Sequence, residues 1–370
     1  MKTLGGAVLV LIVSCLALIP SAAGKTAIGV KILHLSAPLE ALAMSGNRVA
    51  FDVEGTYPVP NRVFVWNVGT GATTKVSGVQ TGKADGSALG GLNRLAIAGD
   101  RVAWRISGGG NSEADDEVYS SSLLAPKERR VGSAVREGNQ CGAGAGGPAP
   151  ACAGTWFGGV VASGHDLLVN RWTTDSSGAI TGGGLYRLVG TLLKPFVMGG
   201  QGVEAVAADS ARIAVLQWQW YFPDTAINVY SASGTPLTTI ALAAQPDAVE
   251  LSGRHLLVLE PANKLALYDA VTGELTKTFT LFKNRRAQAV AVHGDVAVYS
   301  VPSTYRGKTS VRALNLTTGK DSFVGRLPGH IHQLRMDWAG LAYANDAWNG
   351  HGYDVRLVYR PLALVDAAVQ

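Results

Sequence analysis

A few groups of side chains carry types and spacings from which a site could be built. His330, His332 and His351 stand near the end of the chain with Asp346 and Asp354 close by, and imidazoles with carboxylates are a donor set for Zn and other divalent ions. The same spacing also suits solvated or structural histidines, because no recurrent ligand pattern accompanies it. His34, His165, His255 and His293 are dispersed and read as structural. Glu113, Asp115, Asp116 and Glu117 present hard oxygens of the kind that hold Ca, but EF-hand spacing is absent and the run also reads as a solvated loop. Trp218, Trp220, Tyr221 and Phe222, with Trp348 further on, form the densest aromatic group; exposed rings of this kind stack on sugars or anchor peptides.

No catalytic motif survives inspection. Residues 142–147 fit GxGxxG, yet they lie between Cys141 and Cys152 and before Pro148, without the strand and helix a dinucleotide needs. Residues 307–309 (GKT) resemble the end of a phosphate loop, but Pro302 occupies the required first glycine position. GxSxG and HExxH are absent. A Ser, His and Asp triad is defined by geometry rather than order, so activity stays open. The sequence assigns no catalytic residue, calls for no cofactor, and leaves any metal unknown.

The elements that must position these residues show as an internal repeat. Segments 39–53, 92–106, 157–172, 203–218, 246–260, 287–301 and 331–345 share two short apolar strands around a tight turn, with Gly46, Gly99, Gly164, Ser210, Gly253, Gly294 and Trp338 as turn markers. Consecutive markers lie 41 to 65 residues apart. A third strand of alternating apolar and polar residues follows each unit, as in VFVWNVGTG, INVYSASG, LALYDAVTG and VRALNLTTG, and a fourth follows the next turn, as in LTKTFTLF. There is no long segment of period 3.6. Four short strands repeated seven times predict an all-β chain: a seven-bladed β-propeller of four-stranded antiparallel blades. The expected organisation is a signal segment at 1–24 and one propeller domain over 25–370, with units beginning near 39, 92, 157, 203, 246, 287 and 331.

In its GDRVAW type second strand and LALYDAVTG type third strand, the chain resembles the WD-repeat, YncE-like and TolB-like bacterial β-propeller superfamily over roughly residues 27–366. The Gly-His and Trp-Asp pairs of true WD repeats are not repeated, so the resemblance bears on fold and carries over no catalytic residue. It implies that the strand at 28–36 closes the ring by pairing with YDVRLVYRP. The tail LALVDAAV competes for that place, and both remain open here.

Antiparallel order puts the tight first-to-second and third-to-fourth turns on one face. The segments 54–62, 107–117, 173–184, 218–225 and 345–352, and the connections 79–91 and 134–155, fall on the other. Long loops on a rigid scaffold commonly carry binding groups, although Gly-rich insertions can also be neutral. The expected site is therefore this long-loop face around its central depression, with Trp218, Trp220, Tyr221 and Trp348 as anchors and His330, His332 and His351 as polar contacts.

Lys2 followed by the apolar run Leu4–Ile19, Pro20 and the small residues 21–24 reads as a secretory signal peptide. A competing lipobox reading rests on Ile12–Cys15. Loss of residues 1–24 leaves Cys141 and Cys152, an even count that predicts a disulfide in an oxidising compartment. The formal charge of +5 is thin and scattered, with only short pairs such as Arg129-Arg130 and Arg285-Arg286. It offers no stripe for nucleic acid, and no further segment reads as a transmembrane span. These features predict an exported monomer, secreted or in the cell envelope, that recognises a protein, peptide or glycan. The alternative is a secreted hydrolase or lyase using His330, His332 and His351, with or without a metal.

Overall fold

A computed structural model of the chain describes residues 29–53, 61–78, 91–109, 113–137, 153–177, 179–198, 203–217, 225–261, 263–281, 285–303, 307–348, 350 and 352–370. The signal segment with Cys15, the pair Cys141 and Cys152, the aromatics Trp218, Trp220, Tyr221 and Phe222, and His351 lie outside these residues.

After β1 (Lys31–Leu35), blade 1 holds β2 (Leu42–Ser45), β3 (Arg48–Val53), β4 (Arg62–Asn67) and β5 (Thr73–Lys75). Blade 2 holds β6 (Gly91–Ala98), β7 (Arg101–Gly109), β8 (Glu113–Ser122) and β9 (Arg129–Glu137). Blade 3 holds β10 (Gly154–Ser163), β11 (Asp166–Thr174), β12 (Ile180–Val189) and β13 (Leu192–Met198). Blade 4 holds β14 (Val203–Ala208), β15 (Arg212–Gln217), β16 (Thr225–Ser231) and β17 (Pro236–Leu242). Blade 5 holds β18 (Ala248–Ser252), β19 (His255–Glu260), β20 (Lys264–Asp269) and β21 (Leu275–Thr280). Blade 6 holds β22 (Ala289–His293), β23 (Val296–Pro302), β24 (Lys308–Asn315) and β25 (Asp321–Pro328). Blade 7 holds β26 (His330–Met336), β27 (Gly340–Trp348), β28 (Tyr353–Pro361) and, as its outermost strand, β1.

The innermost strands of successive blades touch one another, and β26 touches β2, so the seven sheets form a closed ring. The seam is made by antiparallel pairing of β1 with β28, from Lys31 opposite Tyr359 to Leu35 opposite Val355. The tail does not compete for that edge. Residues Leu362–Val369 form a helix, α1, whose Val365 and Val369 are buried against blades 6 and 7. Pro361 ends the strand, and the Ala- and Leu-rich tail that follows has high intrinsic helix propensity.

Burial follows position along each blade. The second strand is apolar on both sides because a neighbouring blade covers each face, as in β23, where six consecutive residues are buried. The outermost strand of blade 5, Leu275–Thr280, has no buried residue and alternates between exposed and half-buried side chains. Each of the seven seams has its own apolar cluster, from Ala43, Val65, Ile97 and Trp104 between blades 1 and 2 to Leu42, Phe51, Ala344 and Leu357 between blades 7 and 1. Stability is therefore distributed round the ring, with every blade packed on both sides.

Four segments read from sequence as loops or connections are partly strand. Residues 107–109 end β7 and Glu113–Glu117 begins β8, 173–174 end β11 and 180–184 begin β12, 345–348 end β27, and 134–137 and 154–155 belong to β9 and β10. Blades 2, 3 and 7 thus continue past the common strand length on the long-loop face as extended hairpins. Asp116, grouped above with a solvated acidic run, is buried instead: Arg105 donates to its Oδ1 from Nη2 at 2.6 Å and Nε at 3.2 Å. A buried carboxylate needs such a partner.

Candidate functional site

The tight turns on one face are joined blade to blade. Gly46, Gly99, Gly164, Gly253 and Gly294 all have φ between 54° and 60°, the left-handed conformation that a tight hairpin turn requires. The two markers that are not glycine, Ser210 and Trp338, each follow an aspartate that builds a wider turn. Asp209 Oδ1 accepts from the Ala211 and Arg212 amides, and Asp337 Oδ1 accepts from the Ala339 amide. Each aspartate then uses its second oxygen on the next blade: Gly253 N–H donates to Asp209 Oδ2 and Gly46 N–H to Asp337 Oδ2, both at 2.5 Å. Arg48 reaches Gly99 O, Ser163 reaches Asp209 O, and His255 Nδ1 lies 2.9 Å from Gly294 O. His34 is exposed on β1, opposite Arg356.

Inside the ring the innermost strands surround a channel of about 1040 Å³. Its walls combine small apolar side chains, among them Ala96, Val161, Ala208 and Val290, with polar and charged residues that include Arg94, Asp247 and His332. Two of the charged side chains meet across it. Glu250 on β18 and Arg335 on β26 face each other with Oε1 3.6 Å from Nη1, although blade 6 stands between their blades. Burial pushes the Glu250 carboxyl up to about 7, and the nearby guanidinium only partly offsets that shift. Sequence reasoning missed this pair. The signal was present: three residues before each turn marker stand Ala43, Ala96, Val161, Ala207, Glu250, Ala291 and Arg335. Five members of that column are small and apolar, and the two that are not have no room in a seam and extend into the channel.

At the long-loop mouth of the channel, blade 7 gathers the histidines and the described aromatic anchor. His330 and His332 lie on β26 itself, and not in the connection before it; their rings stack at 5.5 Å. Asp346, on the adjacent strand, accepts from His330 N–H at 2.9 Å and has Oδ2 3.6 Å from His332 Nε2. Gln288 of blade 6 approaches His330 Nδ1 at 3.0 Å, while its Oε1 is buried without a hydrogen-bond partner among the described residues. Two positions beyond Asp346, Trp348 pairs across the strands with Tyr353, ring edge to face at 5.1 Å. Trp348 is 64% exposed and Tyr353 45%. Tyr353 was not singled out from sequence, although its place directly after the loop that follows Trp348 makes it a cross-strand neighbour in any tight hairpin.

Asp354, the other carboxylate considered with the histidines, is not brought to them. Arg356 holds it at 2.6 and 3.1 Å, and this hydrogen bonding keeps its carboxyl below the ordinary range. Among the described residues, no three His, Cys, Asp or Glu side chains gather to hold a metal ion. No helix among those residues is long and apolar enough to cross a membrane.

Comparison with known proteins bears on the fold. Among solved structures, the chain is similar to the β-propeller domain of the Trilobed protease from Pyrococcus furiosus, with TM-score 0.56 and 10% identity over 88% of this chain and 94% of that one. The fold is that of a seven-bladed β-propeller. A chain of the Mitotic Checkpoint Complex is likewise similar, with TM-score 0.51 and 15% identity over 96% of this chain and 99% of that one. The protease domain is described as having an open velcro topology; in the present propeller β1 and β28 are paired. No family model and no curated protein sequence matches the chain. At these identities the likeness concerns architecture alone.

Proposed function

We propose that the protein is an exported propeller that binds a peptide, protein surface or envelope glycan on the long-loop side of blade 7. The observation that carries this reading is the exposed Trp348–Tyr353 pair, set on two paired strands beside the stacked His330 and His332. Aromatic rings fixed in an edge-to-face arrangement offer a large apolar surface with little rotamer freedom left to lose on binding, which suits an anchor. His330, His332 and Asp346 add donors and acceptors next to that platform. The loop aromatics Trp218, Trp220 and Tyr221, together with His351, extend the same proposal. So do removal of residues 1–24 on export, a Cys141–Cys152 disulfide and a monomeric state.

A peptide array and a glycan array probed in parallel with the secreted protein and with its Trp348→Ala/Tyr353→Ala variant test the reading. The expected outcome is a set of ligands retained by the parent chain and lost by the variant. Ligands bound equally by both would overturn it.

A further inference from the structure

The channel contains a charge arrangement that the blade-7 platform does not use. Glu250 and Arg335 come from blades that are not neighbours and meet in the channel, whose walls hold small apolar side chains together with other charged ones such as Arg94 and Asp247. Their separation of 3.6 Å exceeds a hydrogen bond. The only hydrogen bond from the Arg335 side chain among the described residues runs from Nη1 to the adjacent Leu334 carbonyl at 2.7 Å, so Nε and Nη2 keep their donors. Glu250 accepts none among those residues. With 23% of the Glu250 side chain and 41% of the Arg335 side chain exposed and the pair joined this loosely, both groups keep capacity for a further partner. In agreement, the Glu250 carboxyl stays raised despite the cation beside it. Gln288 Oε1, the buried acceptor with unused capacity, belongs to a residue lining the same channel.

At this pair a lone anion meets Glu250, and a divalent cation meets Arg335. A molecule with both charges satisfies both partners. In an α-amino acid, the ammonium nitrogen and the carboxylate oxygens are separated by only two bonds and a carbonyl, about 3 Å, which matches the spacing of the pair. The channel volume of about 1040 Å³ leaves ample space for a side chain, since ligand clefts run from roughly 300 to 1,000 Å³. We propose that the central channel binds a zwitterionic ligand of the α-amino acid class, with its ammonium on Glu250 and its carboxylate on the free donors of Arg335. The apolar wall formed by Ala96, Val161, Ala208 and Val290 then favours aliphatic over charged side chains.

The test is calorimetric titration of the full chain with L-leucine, leucine amide, which lacks the anion, and N-acetyl-leucine, which lacks the cation. L-leucine binds, and each derivative is at least tenfold weaker. Glu250→Gln keeps the side-chain volume and lowers L-leucine affinity at least tenfold. Arg335→Gln leaves Glu250 without its counter-charge and can impair folding, so the neutral double variant E250Q/R335Q is measured beside it, with a melting curve to confirm folding; this variant also loses L-leucine. Absence of L-leucine binding at millimolar concentration, equal affinity for N-acetyl-leucine, or undiminished binding by folded E250Q/R335Q would each overturn the proposal. The blade-7 reading is unaffected by any of these outcomes, because its arrays are scored on Trp348 and Tyr353.

Discussion

Asp337 joins the last blade to the first: its Oδ2 accepts the Gly46 amide at 2.5 Å while its Oδ1 holds its own turn. The same residue type does the same between blades 4 and 5, through Asp209 and Gly253. At the seam the arrangement is reinforced by the Trp338 indole, which lies so close over Gly46 that a Cβ there would stand 2.9 Å from it. Gly46→Ala therefore combines a left-handed φ of 60° with a steric clash. Its expected cost is about 1–3 kcal/mol, read as a lower melting temperature. Asp337→Ala removes two amide acceptors and is expected to cost a similar amount, about 1–3 kcal/mol. Unchanged melting in both variants would deny the seam this role.

Asp52 makes stability depend on pH. It is fully buried; its Oδ1 accepts the Glu40 and Ala41 amides at 2.9 Å, and its Oδ2 accepts from Asn61 at 3.1 Å. Burial nevertheless pushes its pKa from 3.8 up to about 7. A carboxyl raised on folding stabilises the native state most when protonated. Its contribution is full below the unfolded value and is lost as pH rises through about 7. Glu250 acts in the same direction over the same window. Urea unfolding is thus expected to give lower stability at pH 8 than at pH 5 from these two groups, with a shallower dependence in Asp52→Asn and a still shallower one in D52N/E250Q. A slope unchanged by both substitutions would contradict this assignment.

Arg105 and Asp116 form the buried pair of blade 2. Removing only the cation strands a buried carboxylate, so Arg105→Ala is expected to cost about 3–5 kcal/mol. The apolar double variant Arg105→Leu/Asp116→Leu should recover much of that loss, because no uncompensated charge remains. Chemical denaturation of the two variants checks the order.

On the long-loop face, Trp348→Ala is expected to weaken binding of array-selected ligands by at least about 2 kcal/mol, the loss typical of an aromatic anchor. Phe323→Ala, an exposed aromatic on the outermost strand of blade 6, serves as the comparison and should leave affinity unchanged. Equal losses in the two variants would point to a general effect of surface apolarity.

The architecture was legible in the sequence because tight-turn markers and period-two strands recur whatever the blade binds. The Leu251-Ser252-Gly253 and Val292-His293-Gly294 segments announce their hairpins locally. Two features were not legible for a definite reason. Asp209 and Asp337 look like ordinary turn residues, and only the ring brings Gly253 and Gly46 to their second oxygens. Glu250 and Arg335 are 85 positions apart, and nothing local reveals that their strands share a channel. The histidine pair was visible as a pattern, but strand register was needed to show that Asp346 joins it while Asp354 is held by Arg356. Tail residues 362–369 illustrate the opposite case, where short apolar runs suit strand and helix alike until packing on blades 6 and 7 decides.

Hydrogen exchange with and without an array-selected ligand tests the central claim most directly. The account predicts slowed exchange in residues 330–333 and 344–355, with no change in the tight turns at 45–48, 252–255 and 293–296. Protection confined to those turns or to the outermost strands, with blade 7 unaltered, would contradict it.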